Sequence, residues 1–129
     1  MMAGLLSTKT ALATVAVKDL ARARAFYETT LGLKPVEGEE DGVQGYRAGS
    51  STIIVYESSF AGTNQTTSVT WPLGDDLDEV VLGLKAKGVT FEHYDMPGAT
   101  HDGDVHVFDK IRVAWFKDPD GNIFNLGNF

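Results

Sequence analysis

One structural plan runs twice along this chain, and that repetition limits its fold more than any single motif does. Ala11–Val17 is apolar with threonine interleaved, the pattern of a buried or half-buried strand. Asp19 then precedes Leu20–Leu31, where Leu20, Ala23, Tyr27 and Leu31 form one helical stripe that Phe26 widens. Asp19 suits the N-cap, and Gly32 suits the residue just past the helix. Short strands are expected at Lys34–Glu37, Gly45–Ala48 and Ser51–Glu57, parted by turns such as Gly49-Ser50-Ser51. The plan restarts at Thr67–Leu73. Asp75 and Asp76 offer a cap, Leu77–Lys87 puts Leu77, Val80, Val81 and Leu84 on one helical face, and Gly88 ends that helix. Val89–Tyr94, Lys110–Lys117 and Asn122–Gly127 supply the remaining strands. Setting Val17-Lys18-Asp19-Leu20 against Gly74-Asp75-Asp76-Leu77 brings Gly32 within one place of Gly88.

The chain therefore reads as two β-α-β-β-β modules, residues 10–58 and 67–129 approximately, within a single domain spanning 1–129. A lone module has one helix to cover four strands and leaves the other sheet face bare. Two modules side by side give an α+β fold, a curved eight-stranded sheet with helices outside and a concave ligand face.

The hydrophobic fraction of 43% is enough to fill such a core. A formal charge of −7 disfavours nucleic acid or an anionic membrane as partner and is compatible with a cationic or neutral small ligand. With no cysteine, disulfides, thiolate metal sites and a cysteine nucleophile are excluded. The N-terminal stretch superficially resembles a secretory leader, but Lys9 and the threonines interrupt its apolar run and no basic residue precedes it. No stretch approaches the ~20 apolar residues of a membrane span. A soluble cytoplasmic protein is expected. Asn64-Gln65-Thr66 matches a glycosylation sequon, a tripeptide common by chance.

Trp115–Leu126 reads W-F-K-D-P-D-G-N-I-F-N-L, two apolar runs around Asp118-Pro119-Asp120-Gly121, hence a β-hairpin with a tight turn. The same four residues lack the other ligands of a calcium loop. With V-x-D-L-A-R-A-R-A-F-Y-E-x-x-L-G-L at Val17–Leu33 and D-D-L-D-E-V-V-L-G-L-K-A-K-G-V at Asp75–Val89, this segment resembles the vicinal oxygen chelate superfamily. That is the glyoxalase/bleomycin-resistance/extradiol-dioxygenase group. The resemblance implies one divalent ion on the concave face, held by two ligands from each module. Its histidine position, seven residues before the aspartate of the D-L motif, holds Leu12 here. The equivalent strand of the second module, Thr67-Ser68-Val69-Thr70-Trp71, has no histidine, and the closing glutamate position holds Asn125. Only Glu57 suits a ligand position. One glutamate and an amide fall short of the three or four convergent donors a transition metal needs, so no metal cofactor is expected.

Alternation puts Ile123 and Asn125 on one face of the last strand and Phe124 and Leu126 on the other. If the family's carboxylate position faces the cavity, so does Asn125, whose amide both donates and accepts. Tyr46, Tyr56, Phe60, Trp71 and Trp115 lie on or beside the strands, as core or as ligand platform. Glu92–His106 holds all three histidines and reads as a polar connection, with Met96-Pro97-Gly98 as a turn that either folds over the pocket or stays at the surface. Neighbours on an extended loop do not converge on one point, so His101 is expected at the pocket mouth, and His93 and His106 in structural or solvent-facing roles.

The expected function is binding of a drug-like or metabolite ligand in the concave pocket, without the family metal. The ligand-binding candidates are Tyr56, Glu57, Trp71, His101, Trp115 and Asn125. The alternative is a lyase, isomerase or dioxygenase, metal-dependent or not, with Glu57 or His101 as the catalytic group. A homodimer is implied by the family resemblance.

Overall fold

The computed structural model describes residues 5–37 and 42–129; residues 1–4, at the start of the apolar N-terminal stretch, and residues 38–41 lie outside the described residues. The elements follow as β1 (Ala13–Val17), α1 (Leu20–Arg24, continued by a π-helical turn over Ala25–Thr30), β2 (Lys34–Pro35), β3 (Val43–Ala48) and β4 (Ser51–Glu57). Next come β5 (Thr67–Pro72), a 3-10 turn (Gly74–Asp76) leading into α2 (Leu77–Ala86), β6 (Phe91–Glu92), β7 (Thr100–Asp102), β8 (Val105–Phe108), β9 (Ile111–Lys117) and β10 (Ile123–Gly127).

The duplication is visible in the hydrogen bonding. The first sheet runs β1-β4-β3-β2, and in the second β5-β10-β9 continues to β6, which pairs with β9. In each module the first strand lies parallel to the last, and the other pairs are antiparallel. All eight expected strands are present, but they form two sheets rather than one, with β1 and β5 approaching each other without hydrogen-bonding. A β7–β8 hairpin, inserted between β6 and β9, adds two more strands to the second sheet. That hairpin corrects the reading of Glu92–His106 as an irregular connection.

Helix ends follow the sequence in three cases of four. Asp19 accepts hydrogen bonds from the N–H groups of Ala21 (3.0 Å) and Arg22 (3.4 Å), and Gly32 and Gly88 both take left-handed φ, +72° and +96°. The second N-terminus differs: Asp76 makes no side-chain cap because its own backbone is already helical, and the 3-10 turn leads into the helix instead.

Residues paired across strands share a face. Phe124 opposes Phe116, and Leu126 opposes both Ala114 and Trp71, so these side chains point toward the helices. Val15, Val17, Ile53 and Val55 do the same in the first sheet. Leu20, Ala23 and Tyr27 of α1 and Leu77 and Val81 of α2 complete one core that draws on both modules.

A buried polar clasp joins the modules. Tyr27 Oη donates to Asp118 Oδ2 at 2.6 Å, and Asn122 Nδ2 donates to the same oxygen (2.8 Å) and to the Ala16 carbonyl (2.7 Å). Asp118 Oδ1 accepts from the N–H groups of Asp120 (3.0 Å) and Asn122 (2.8 Å). Burial, followed by the adjacent Asp118 charge, pushes the Tyr27 hydroxyl far above its ordinary value, so it remains a donor. The D-P-D-G-N turn thus holds α1 and β1 as well as closing its own hairpin.

Candidate functional site

The sheet face turned away from the helices can be read from strand register. Asn125 opposes Trp115 and Thr70, Glu92 opposes Trp115, and His106 opposes Val113, two residues along β9 from Trp115. His101 opposes His106. Asn125, Trp115, Glu92, His106 and His101 therefore share one face. The segment at 62–67 stands beside part of it, and together they line an open cavity of about 720 Å³. Among the described residues, Trp115, Tyr94, Met96 and Ile123 supply its apolar surface, Asn64–Thr67 a wall of amides and hydroxyls, and Lys117 its one charged side chain. Within that wall Asn64 Oδ1 accepts from Thr66 N (3.1 Å) and Oγ1 (2.8 Å), folding the sequon residues into a local turn.

The Trp115 indole is held from several sides. Its Nε1 donates to Thr67 Oγ1 at 3.2 Å, and Tyr94 and His106 stand perpendicular to it at ring-centroid distances of 5.5 and 4.9 Å. Asn125 Oδ1, across the β9–β10 pair from this ring, is buried and has no hydrogen-bond partner. An unsatisfied buried acceptor is unfavourable on its own and is suited to a donor from a ligand or water.

The three histidines do converge, which corrects the expectation from their spacing in sequence. His101 and His106 lie 4.6 Å apart between centroids, His93 and His101 are stacked at 5.6 Å, and His93 and His106 are 6.3 Å apart. The cause is the hairpin: Asp102 pairs with Val105 around Gly103-Asp104, with Gly103 at φ +61°. The signal was present in Asp102-Gly103, a turn dipeptide beside the alternating run Val105–Phe108. Among the described residues, no group of three His, Asp or Glu side chains is arranged to hold a metal ion. Instead, the rings fasten the cavity wall. The Tyr94 N–H donates to His106 Nε2 at 2.8 Å, and His101 Nε2 lies 3.1 Å from the Tyr94 carbonyl. His93 Nε2 and Lys85 Nζ both contact Asp104 at 2.8 Å, and Arg112 bridges Asp102 (2.9 Å) and Asp78 (3.1 Å). These ion pairs tie the hairpin to α2. Hydrogen bonds from Lys85 and His93 hold the Asp104 carboxyl below its ordinary value.

His106 is fully buried, and to accept from Tyr94 its Nε2 must be unprotonated. Its Nδ1 makes no hydrogen bond of ordinary geometry, although the Val113 backbone stands close enough to counter part of the burial effect. Burial first, and the neighbouring His101 second, lower its pKa from 6.5. The sign follows. Above that value both folded and unfolded chains carry neutral His106. Below it the unfolded chain takes up a proton that the folded ring resists, until the folded ring itself titrates. Stability is therefore expected to fall on acidification from about pH 7.5 to pH 5.5. The fall should be smaller in His106→Gln, as measured by thermal unfolding at both pH values.

The sequence candidates separate by face. Trp115, Asn125 and His101 share the cavity-bearing face of the second sheet, with His101 at the exposed hairpin. Tyr56 opposes Ala16 and Val43 on the helix-averted face of the first sheet and is 37% exposed. Glu57 shares the parity of Val55 and turns toward α1, where its Oε2 accepts from the Leu20 N–H at 2.9 Å. Trp71 packs on the helix side against Phe116 (6.4 Å, stacked) and Phe124 (5.7 Å, edge-on). Sequence reasoning missed Tyr94, Lys117 and the segment at 62–67, because a wall assembled from separate segments has no local motif; of the two readings it left open for the Met96-Pro97-Gly98 turn, Met96 lines the cavity.

Structural comparison gives the same architecture. A fosfomycin resistance protein, FosX, from Listeria monocytogenes superposes with a TM-score of 0.67 at 19% identity, over 98% of this chain and 93% of that one. The FosX protein has also been crystallised with manganese(II) and a sulfate ion. A lactoylglutathione lyase from Agrobacterium tumefaciens gives 0.66 at 17% identity over 92% of each chain. An integron cassette protein from the Halifax Harbour sewage outfall metagenome gives 0.67 at 15%, over 94% of this chain and 99% of that one. No curated protein sequence matches significantly. At these identities the neighbours establish the fold alone. The family model for the Glyoxalase/Bleomycin resistance protein/Dioxygenase superfamily matches residues 9–126, nearly the full length, and the chain belongs to that superfamily.

Proposed function

We propose that the protein binds a small organic molecule in the cavity over Trp115 and does so without the family's divalent metal. The observation that carries this reading is the cavity itself. Its volume of about 720 Å³ lies within the range of small-molecule sites, and it has an aromatic floor and a polar wall. Asn125 Oδ1, a buried acceptor without a partner, lies outside the lining residues, across the β9–β10 pair from the Trp115 floor.

The residues at the family's metal positions do not suit a divalent cation. Leu12 offers no donor, and Val69 and Thr70 stand where the second module would carry a histidine. The Glu57 carboxylate is engaged by the N-terminus of α1 on the opposite sheet face from Asn125. An amide oxygen alone does not offset the dehydration of a transition-metal ion. Binding therefore rests on stacking and hydrogen bonding, with Trp115 as platform, Asn125 as acceptor and His101 holding the Tyr94 wall. Tyr56 belongs to the first module's open face. Leu12, Val43, Tyr56 and Phe60, exposed there or nearby, support pairing of two copies, which sedimentation equilibrium would detect as a dimer.

The test is a fluorescence titration of wild type, Trp115→Ala and Trp71→Phe against a panel of antibiotics and metabolites. Saturable quenching is expected in wild type and Trp71→Phe, with affinity weakened ~10-fold or more in Trp115→Ala. Equal binding by Trp115→Ala would place the ligand elsewhere.

A further inference from the structure

The charged side chain that lines the cavity is opposite in sign to the chain as a whole. The protein carries a formal −7, yet among the described residues lining the cavity the single charged side chain is Lys117. Its ammonium is not firmly engaged. The contact to Glu92 Oε1 is 3.7 Å, with the two side chains 45% and 30% exposed, and a loose surface pair of this kind contributes little. Lys117 and Trp115 are two residues apart on β9, so both project from the same sheet face, ~7 Å apart along the strand. An aromatic platform and a loosely paired cation are thus set side by side on one strand, and the amide and hydroxyl wall of Asn64–Thr67 lies within the same cavity.

Resting on the cavity reading above, we infer that the ligand class is an aryl carboxylate, an aromatic ring joined by one or two carbons to a carboxyl group. The ring lies against Trp115 and Ile123, and the carboxylate meets Lys117. A linker of that length spans the offset between indole and ammonium, with the flexible lysine taking up the remainder. Tyr94 and His106 hold the indole upright, so the platform is formed before the ligand arrives and little ordering entropy is lost on binding. The polar wall hydrogen-bonds carboxylate oxygens or ring substituents equally well and adds no charge of its own. A cationic ligand of the same shape meets Lys117 at close range and is disfavoured, despite the acidity of the chain as a whole. Overall charge governs the long-range field, while the groups within a few ångströms decide which ligand stays.

Three compounds of one shape test this: 3-phenylpropionate, 3-phenylpropanamide and 3-phenylpropylamine, each titrated into wild type, Lys117→Gln and Lys117→Glu by tryptophan fluorescence at low salt. Wild type is expected to prefer the carboxylate over the amide by ~5-fold or more, and the amine least, with the preference shrinking as salt is raised. In Lys117→Gln the carboxylate should fall to the level of the amide, whose own affinity is unchanged, and in Lys117→Glu the amine should overtake the carboxylate. Lys117 is exposed, so both variants should fold, and coincident circular dichroism spectra would confirm it. A wild-type preference for the amine or amide, or a carboxylate preference that survives Lys117→Gln, overturns the inference. If all three fail to bind while another panel compound still quenches Trp115, the ligand class is wrong and the cavity reading stands. If nothing quenches Trp115, both fall.

Discussion

Asp118→Ala is expected to unfold on the order of 15 °C below wild type, a loss of about 4 kcal/mol. Asp118 is 4% exposed and accepts four hydrogen bonds: from Tyr27 Oη, from Asn122 Nδ2, and from the N–H groups of Asp120 and Asn122. Alanine strands Tyr27 Oη and the Asn122 N–H in a packed interior, leaves Asn122 Nδ2 only its bond to the Ala16 carbonyl, and frees the part-buried Asp120 N–H; each stranded buried group carries its full desolvation penalty. The effect should exceed that of Tyr27→Phe, which removes one donor and leaves Asp118 Oδ2 still bonded to Asn122, at about 2 kcal/mol. Because the clasp joins α1 to the closing hairpin of the second module, the double variant should be less destabilised than the sum of the two singles. Urea unfolding of the four proteins checks this, and an Asp118→Ala loss under about 1 kcal/mol would show the clasp to be dispensable.

Gly62→Ala is the second large expected effect, about 3 kcal/mol or more. Gly62 has φ +76°, and a Cβ there would collide with the Asp120 carbonyl oxygen, a backbone atom that cannot swing aside. Gly49 is the matched control. Its φ is +58°, but nothing lies within 4 Å of the position a Cβ would take, so alanine there meets only the left-handed backbone penalty of about 1–2 kcal/mol. The difference between the two variants measures the close approach of the segment at 62–67 to the D-P-D-G-N turn. Since that segment walls the cavity, Gly62→Ala should also weaken ligand quenching of Trp115, and Gly49→Ala should not. Equal stability of the two variants would mean that the turn and the segment part easily.

The modules were legible because their signals are local. Asp19, Gly32 and Gly88 mark helix ends through backbone chemistry within a few residues, and the Leu20, Ala23, Tyr27 stripe is written in 3.6-residue spacing; all three stripe residues are buried. The β7–β8 hairpin was equally local, yet the histidines and carboxylates around Asp102-Gly103 drew the reading toward a solvated loop. Strand faces were legible only in part. Alternation put Asn125 opposite in face to Phe124 and Leu126, and register pairs it with Trp115. The same alternation, carried along β4 from the buried Ile53 and Val55, puts Glu57 on the helix side. Along β5, Val69 and Trp71 share a parity, and only the β5–β10 register shows that this parity belongs to the core.

By itself the sequence determined the repeated modules and the family, because spacing, turn chemistry and residue identity are properties of neighbouring positions. The tertiary structure alone decided that Asp118 reaches Tyr27 across 91 residues, that three histidines meet around Tyr94, and that among the described residues the cavity's one charged lining residue is a lysine in an acidic chain. Those outcomes depend on which strand pairs with which and on which segment crosses the open face. Strand pairing and chain crossing are set by the packing of the whole core rather than by any local run of residues.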